Sequence, residues 1–207
     1  MNVLDSLFAK FYDRLSEPME RHGLAEHRSQ LLSDLSGEVL EVGAGTGRNL
    51  DIYPDAVTSL TLTEPSAPML DKLRQRVAEL RPEATVVAAP AERLPFEDAS
   101  FDAVVTTLVL CSVDDLDAAA VELRRVVRPD GRLVVIEHVA AKGRASTFQH
   151  VWQPAQKVLG RNCHVTRDTR SALEKAGFDT GQVVDFTVPG APAALFPGIV
   201  GIAQPVT

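Results

Sequence analysis

The apolar positions of the chain follow two alternating patterns. Leu4, Leu7, Phe8, Phe11, Tyr12 and Leu15 recur at spacings of three and four, the period of one helical face. A second helix is predicted over residues 20–35, closed by Gly37. Short stretches rich in apolar residues then follow at 38–42, 59–63, 85–89, 101–108 and 132–138, each the length of a buried strand. Helical patterns separate them. One runs from Ala67 to Leu80 and is stopped by Pro82. Another runs from Leu116 to Val127 and is ended by Pro129-Asp130-Gly131, a turn signal. This alternation predicts a parallel sheet with helices on both faces.

The last third adds pieces that a minimal sheet does not need. Phe148, Val151, Trp152, Ala155, Val158 and Leu159 fit one helical face. Residues 166–176 read as a capped helix closed by Gly177. Two final strands are predicted at 182–188 and 199–204, joined by a proline-rich connection and paired antiparallel at the sheet edge.

Composition narrows the function classes. A chain of 207 residues supports one full core and not two comfortable ones. Its net charge of −7 disfavours a nucleic-acid partner. The clusters Arg124, Arg125, Arg128 and Arg161, Arg167, Arg170 read as solvated faces, because no aromatic residues interleave them. Cys111 and Cys163 are too few for a disulfide framework and are expected to be free thiols in a reducing compartment. The start shows no basic region followed by an apolar run, so no secretory leader is expected. The most apolar stretch, 186–203, contains Pro189, Pro192 and Pro197 and is a poor membrane span. A cytoplasmic protein without integral membrane association is expected.

The strongest chemical signal is Glu41-Val42-Gly43-Ala44-Gly45-Thr46-Gly47, between a buried strand and a helix. Glycines let the backbone turn sharply and let a ligand lie against it. A dinucleotide loop needs Gly-x-Gly-x-x-Gly. Here the third glycine comes one residue early, and Arg48 stands where that motif wants glycine. Glu41 would repel a pyrophosphate and attract a cation, which suits a sulfonium-bearing amino acid with a free ammonium. Glu64 ends the second predicted strand, 64 − 47 = 17 residues past the last glycine. A carboxylate there can accept both hydroxyls of a ribose. The plain alternative is an exposed loop carboxylate.

With these pieces in place, the chain resembles the class I S-adenosylmethionine-dependent methyltransferases of the type 11 superfamily, over residues 31–139. The matching stretches are 41–47, Glu64-Pro65-Ser66 with Met69-Leu70, Ala91-Glu92-Arg93-Leu94-Pro95-Phe96, and Arg125 to Gly131. A further likeness covers Thr107 to Val113, Glu137-His138-Val139-Ala140, Trp152, and Cys163 to Asp168. Those stretches are similar to the methyltransferase-like branch that includes the animal alkyl-thiol methyltransferases.

The resemblance implies a Rossmann-like, doubly wound α/β fold. Its sheet has seven strands, mostly parallel, with an antiparallel C-terminal pair and helices on both faces. It implies one domain over 1–207, with 1–36 as an N-terminal helical cap and 140–165 as a helical insertion over the acceptor site. S-adenosylmethionine is the implied cofactor and S-adenosylhomocysteine the product. Gly43, Ala44, Gly45 and Gly47 would cradle the methionine part, with Glu41 and Asn49 beside it. Glu64 would hold the ribose, and Pro65 and Met69 would flank the adenine. Ala91 and Glu92 would meet the adenine edge. Thr107 and Leu108 would line the floor near the methyl group, and Tyr12 would close over the cofactor. Two departures stand out. Pro90 replaces the aspartate that superfamily members often carry before Ala-Glu. The chain also shows no counterpart of the hydrophobic anchoring segment with which the animal thiol enzymes begin.

The implied reaction is methyl transfer to a small-molecule acceptor, with a thiol as the best single choice. An amine, a hydroxyl, or a quinone or lipid carbon is the alternative. Much of the catalysis can be placement, with nucleophile, methyl carbon and sulfur in line. His138 ends the fifth strand, where it would orient or deprotonate the acceptor; the plain alternative is a histidine hydrogen-bonded to a neighbouring loop. Cys111 is either reactive or packing. Cys163-His164 lacks a second ligand pair of suitable spacing, so no metal is expected. The face holding Phe148, Trp152 and Leu159 either roofs an apolar acceptor pocket or packs on the sheet. A monomer or homodimer is expected. Two other classes remain open at this point: a nicotinamide-dependent oxidoreductase, which Arg48 disfavours, and a non-catalytic cofactor-binding module.

Overall fold

The computed structural model describes residues 3–141, 143, 146–147, 149–151, 153–154, 162–187 and 197–206. Helix α1 (Val3–Met19) runs through a wide helical turn, Glu20–Leu24, into α2 (Ala25–Leu32). Gly23, with φ 129°, breaks the axis between them. Strand β1 (Gly37–Val42) is followed by β2 (Val57–Thr63), α3 (Ala67–Leu80), β3 (Thr85–Val87) and β4 (Phe101–Thr107). Then come α4 (Leu116–Val126), β5 (Val127–His138), α5 (Thr169–Lys175), β6 (Phe178–Thr187) and β7 (Pro197–Pro205).

The seven strands form one sheet in the order β3-β2-β1-β4-β5-β7-β6. The first five are parallel, and β7 pairs antiparallel with both β5 and β6. This is the expected doubly wound arrangement with its antiparallel edge. Alternate residues of each central strand face opposite layers. Leu40, Val104 and Leu133 pack against Ala119, Leu123 and Val126 of α4 and Leu173 of α5. Val39, Val105 and Val134 pack against Leu70, Leu73 and Val77 of α3 and against Leu32. Each such fully buried aliphatic side chain stabilises the fold by about 1.5–3 kcal/mol.

Several element boundaries differ from expectation. β5 begins at Val127, immediately after α4, and contains Pro129-Asp130-Gly131. Its register passes from Phe101↔Val127 to Ala103↔Arg132, so the proline-glycine stretch bulges out of the ladder instead of preceding the strand. On α1 the predicted apolar face is divided. Phe8 and Tyr12 turn inward, while Leu7, Phe11 and Leu15 are exposed. The contact of Asp13 with Thr46 sets that rotation. In the segment after β5, Val151 is 78% exposed whereas Gln149 is fully buried. Gln149 accepts from Ala141 N at 2.5 Å and donates to Val139 O at 3.1 Å, so a polar side chain anchors this segment. Phe148, Trp152, Ala155, Val158 and Leu159, the rest of the expected roof, lie outside the described residues.

The order of the strands places a crevice. β1 is flanked by β2 on one side and β4 on the other, and the chain leaves their carboxyl ends in opposite directions. Ligands of doubly wound sheets bind beyond the carboxyl ends at that switch point.

Candidate active site

The glycine loop sits at the switch point. Val42 ends β1, and Ala44 N donates to Thr63 O at 2.8 Å, which fastens the loop to the end of β2. Gly43, Gly45 and Gly47 all have positive φ, at 67°, 59° and 81°. They differ in what surrounds them. A Cβ on Gly47 would lie 2.7 Å from Leu50 Cδ1 and 3.0 Å from Leu73 Cδ1, so this glycine permits close packing on α3. A Cβ on Gly45 would meet nothing within 4 Å. Gly45 therefore borders open space at the switch point, the cradle that a ligand would fill.

Glu64 closes one side of that cradle. Its carboxylate accepts from Gly45 N at 2.9 Å and from Ser66 N at 2.8 Å. Burial raises its pKa, and the two backbone donors oppose that rise. The exposed-carboxylate alternative is overturned, since Glu64 is 7% exposed. Further along, Met69 and Ala91 are buried and Pro65 is exposed. Glu92 turns away toward α4, where its Oε1 accepts from Asp114 N at 2.6 Å and Asp115 N at 3.2 Å.

Beneath the loop lies a buried polar network. Glu41 accepts from Asn49 Nδ2 at 2.9 Å and from the Tyr53 hydroxyl at 2.7 Å. Arg28 Nη1 donates to Asn49 Oδ1 at 2.8 Å and Arg28 Nη2 pairs with Glu20 at 3.3 Å. Asn49 Nδ2 also reaches Thr107 Oγ1 at 3.4 Å. Burial raises the Glu41 carboxyl, and the Tyr53 and Asn49 donors and the Arg28 charge pull it back. Both oxygens of Glu41 are engaged by side chains from its own fold, so the structure makes it a support of the loop. Asn49 is likewise fully buried and ties α2, β1 and β4 together.

Helix α1 lies over the loop. Thr46 Oγ1 donates to Asp13 Oδ1 at 2.6 Å, and Ser16 Oγ donates back to Tyr12 O at 2.9 Å. Arg48 donates to Asp13 O and pairs with Glu17 at 3.5 Å. Arg48 thus joins the loop to α1, a use for a side chain at a motif position where dinucleotide folds carry glycine. Tyr12 is half-buried. Burial raises its phenol, the charge of Arg28 lowers it, and Cys111 raises it again.

The far wall is formed by the carboxyl ends of β4 and β5. Leu108 has φ 58°, uncommon for a bulky side chain. Its N–H donates to Ile136 O at 2.8 Å. Glu137, fully buried, accepts from Val109 N and Leu110 N at 3.1 Å each, and burial pushes its pKa up to about 7. These bonds hold the strained turn in place. Beside it, His138 Nδ1 lies 3.7 Å from Cys163 Sγ, and Cys111 stands in the same cluster. His164 is turned elsewhere, its Nε2 3.0 Å from Asn162 Oδ1.

The residues missed by sequence reasoning are supports. Arg28, Glu20 and Tyr53 carry no motif. Glu137 had a signal, a charge directly after the apolar run 133–136 and within the same predicted strand. The Cys111–His138–Cys163 grouping had none, because its members are separated by 27 and 25 positions along the chain.

Known proteins place this geometry in a class. Residues 40–135 match the methyltransferase domain family. The chain is 36% identical over 195 residues to human thiol S-methyltransferase TMT1A, covering 87% of this chain and 79% of that protein. Among solved structures, it superposes on a SAM-dependent methyltransferase from Thermotoga maritima with a TM-score of 0.70 at 23% identity, over 98% of this chain and 99% of that one. Geranyl diphosphate C-methyltransferase from Streptomyces coelicolor, solved with S-adenosyl-L-homocysteine, gives a TM-score of 0.70 at 16% identity, over 89% and 82% of the two chains. The fold is that of the class I methyltransferases. The chain belongs to the S-adenosylmethionine-dependent methyltransferase family.

Proposed function

We propose that this enzyme transfers the methyl group of S-adenosylmethionine to the thiol of a small molecule. The observation that carries the acceptor is the extent of the likeness to thiol S-methyltransferase TMT1A. It runs over 195 residues, well beyond the 40–135 of the methyltransferase domain, and so takes in segments outside the cofactor half.

The open face of Gly45 and the buried Glu64 carboxylate fit the cofactor. Gly43, Ala44, Gly45 and Gly47 cradle its methionine part, and Glu64 takes the ribose hydroxyls. Pro65 and Met69 flank the adenine, and Ala91 meets its edge through the backbone. Glu41 and Asn49 act from beneath, by holding the loop. Tyr12 covers the site from α1, within the cap 1–36. Thr107 and Leu108 form the floor, and His138 serves the acceptor end beneath the insertion 140–165. When bound, the sulfonium supplies an activated methyl and a neutral leaving group. The protein's share is alignment and exclusion of water, since no covalent enzyme intermediate is needed. Free buried Cys111 and Cys163 suit a reducing, cytoplasmic setting. Among the described residues no helix is long and apolar enough to cross a membrane.

The test is transfer of label from methyl-labelled S-adenosylmethionine to matched alkyl thiols, amines and phenols. Thiols are expected to be methylated preferentially. Transfer to an amine or phenol with thiols untouched overturns the acceptor class.

A further inference from the structure

Three soft donors meet at the acceptor end of the site. Cys111 follows β4, His138 ends β5, and Cys163 precedes α5. Their ligand atoms all lie within 4.8 Å of one another, and all three residues are buried. The grouping is braced. His164 N donates to Cys111 O at 2.6 Å, Asn162 Nδ2 to Ser112 O at 2.9 Å, and Arg167 Nη1 to Leu110 O at 2.8 Å. These bonds pin the segment carrying Cys163 onto the loop carrying Cys111.

We propose that Cys111, Cys163 and His138 form a binding site for a thiophilic divalent cation, with zinc as the fitting ion. Two sulfurs and one imidazole are a donor set that zinc takes in catalytic centres, leaving a fourth tetrahedral position open. Zinc–sulfur and zinc–nitrogen bonds of about 2.3 and 2.0–2.1 Å set a tetrahedral ligand edge of roughly 3.6 Å. The 3.7 Å between Cys163 Sγ and His138 Nδ1 matches that edge. Carboxylate-loving ions such as magnesium are excluded by the same donors.

The fourth position has a use that rests on the thiol-acceptor reading above. The cluster lies at the carboxyl ends of β4 and β5, the same edge of the parallel sheet from which the glycine loop leaves β1. An acceptor thiol that takes the fourth position gives up its proton on coordination, as do Cys111 and Cys163 when the ion enters. The acceptor sulfur then forms its bond to the methyl carbon. The methyl–sulfonium bond breaks, and its electron pair stays on the departing thioether sulfur. No oxidant or reductant takes part. His138 is then a ligand and not the acceptor's base.

The test uses the full chain, purified without chelator. Elemental analysis is expected to find about one zinc per chain. After exchange with Co²⁺, the wild-type protein is expected to show a thiolate-to-cobalt charge-transfer band, and Cys111→Ser, Cys163→Ser and His138→Gln to weaken or lose it. Ethanethiol is expected to shift the band, and ethylamine to leave it unmoved. No zinc and no cobalt band in wild-type protein that still binds S-adenosylhomocysteine overturns the metal site and leaves the methyltransferase reading intact. A Cys111–Cys163 disulfide in protein kept from oxidants also overturns it. A cobalt band that ethanethiol does not move overturns the role of the fourth position. Metal bound by a protein that methylates amines and not thiols overturns the acceptor reading alone.

Discussion

Glu64 folds back on Gly45, taking its backbone N–H at 2.9 Å across 19 positions of sequence. The second strand's carboxylate and the first strand's glycine loop therefore form one unit before any ligand arrives. If Glu64 holds the ribose as proposed, the sugar meets an acceptor already fixed in place. Glu64→Ala removes a charged acceptor, worth about 1.5–3 kcal/mol, or roughly 10–100-fold in affinity. Calorimetric titration with S-adenosylhomocysteine should show that weakening while the circular dichroism spectrum stays native. An unchanged dissociation constant would remove Glu64 from the site.

Gly45 and Gly47 share a backbone conformation and separate two kinds of glycine requirement. Alanine at either position meets the left-handed cost of about 1–2 kcal/mol. Gly47→Ala also drives its Cβ into Leu50 and Leu73, whereas Gly45→Ala projects into open space. Gly47→Ala should lower the melting temperature more than Gly45→Ala does. Gly45→Ala should lose product binding out of proportion to its smaller stability loss. Thermal melts beside the same titration check this, and equal melting losses would show that the Gly47 contacts relax freely.

The centre of the sheet was legible because β1, β4 and β5 carry runs buried on both faces. Runs such as Leu133-Val134-Val135-Ile136 can be little else, and Gly43, Gly45 and Gly47 follow the first of them directly. The candidate site was legible where its parts lie in one local stretch, as Gly43, Gly45 and Gly47 do. It was not legible where function comes from convergence. Asn49 was read from the glycine-loop stretch alone, yet its side chain also bonds Arg28, which lies 21 positions away in sequence. The turn at Pro129-Asp130-Gly131 was read correctly as a local bend and wrongly as a boundary, because the β4 register absorbs the bend inside β5. Leu7, Phe11 and Leu15 carry the helical period but face outward, because Asp13 and Thr46 fix how α1 is turned.

Glu41 makes stability depend on pH. Burial raises its folded-state pKa above the ordinary 4.5, while Arg28, Tyr53 and Asn49 only partly restore the charged form. Between the unfolded and folded values the native chain holds the proton that the unfolded chain has lost. The slope of stability with pH is then negative, so this contribution is present at low pH and lost as pH rises through the folded value. Glu41→Gln should flatten that part of the profile in denaturant titrations run from pH 4.5 upward. A mutant profile parallel to the wild type would assign the slope to other groups.

Asp13 couples the cap to the cradle. Its carboxylate takes the Thr46 hydroxyl at 2.6 Å and pairs with Arg48 at 3.4 Å, and its carbonyl receives Arg48 as well. Asp13→Ala keeps the backbone contact and removes the two side-chain ones. The pair is partly exposed, so the loss is expected at about 1 kcal/mol, near fivefold to tenfold in affinity if α1 closes the site. The melting transition, set by the sheet core that Asp13 does not touch, should move little. Limited proteolysis should cut within α1 sooner in the variant, and S-adenosylhomocysteine should protect α1 less than in wild type. If α1 of the variant resists the protease as long as before, Asp13 does not hold the cap. If it is cut sooner but product affinity is unchanged, the cap packs on the loop without closing over the cofactor, and Tyr12 loses its assigned part in binding.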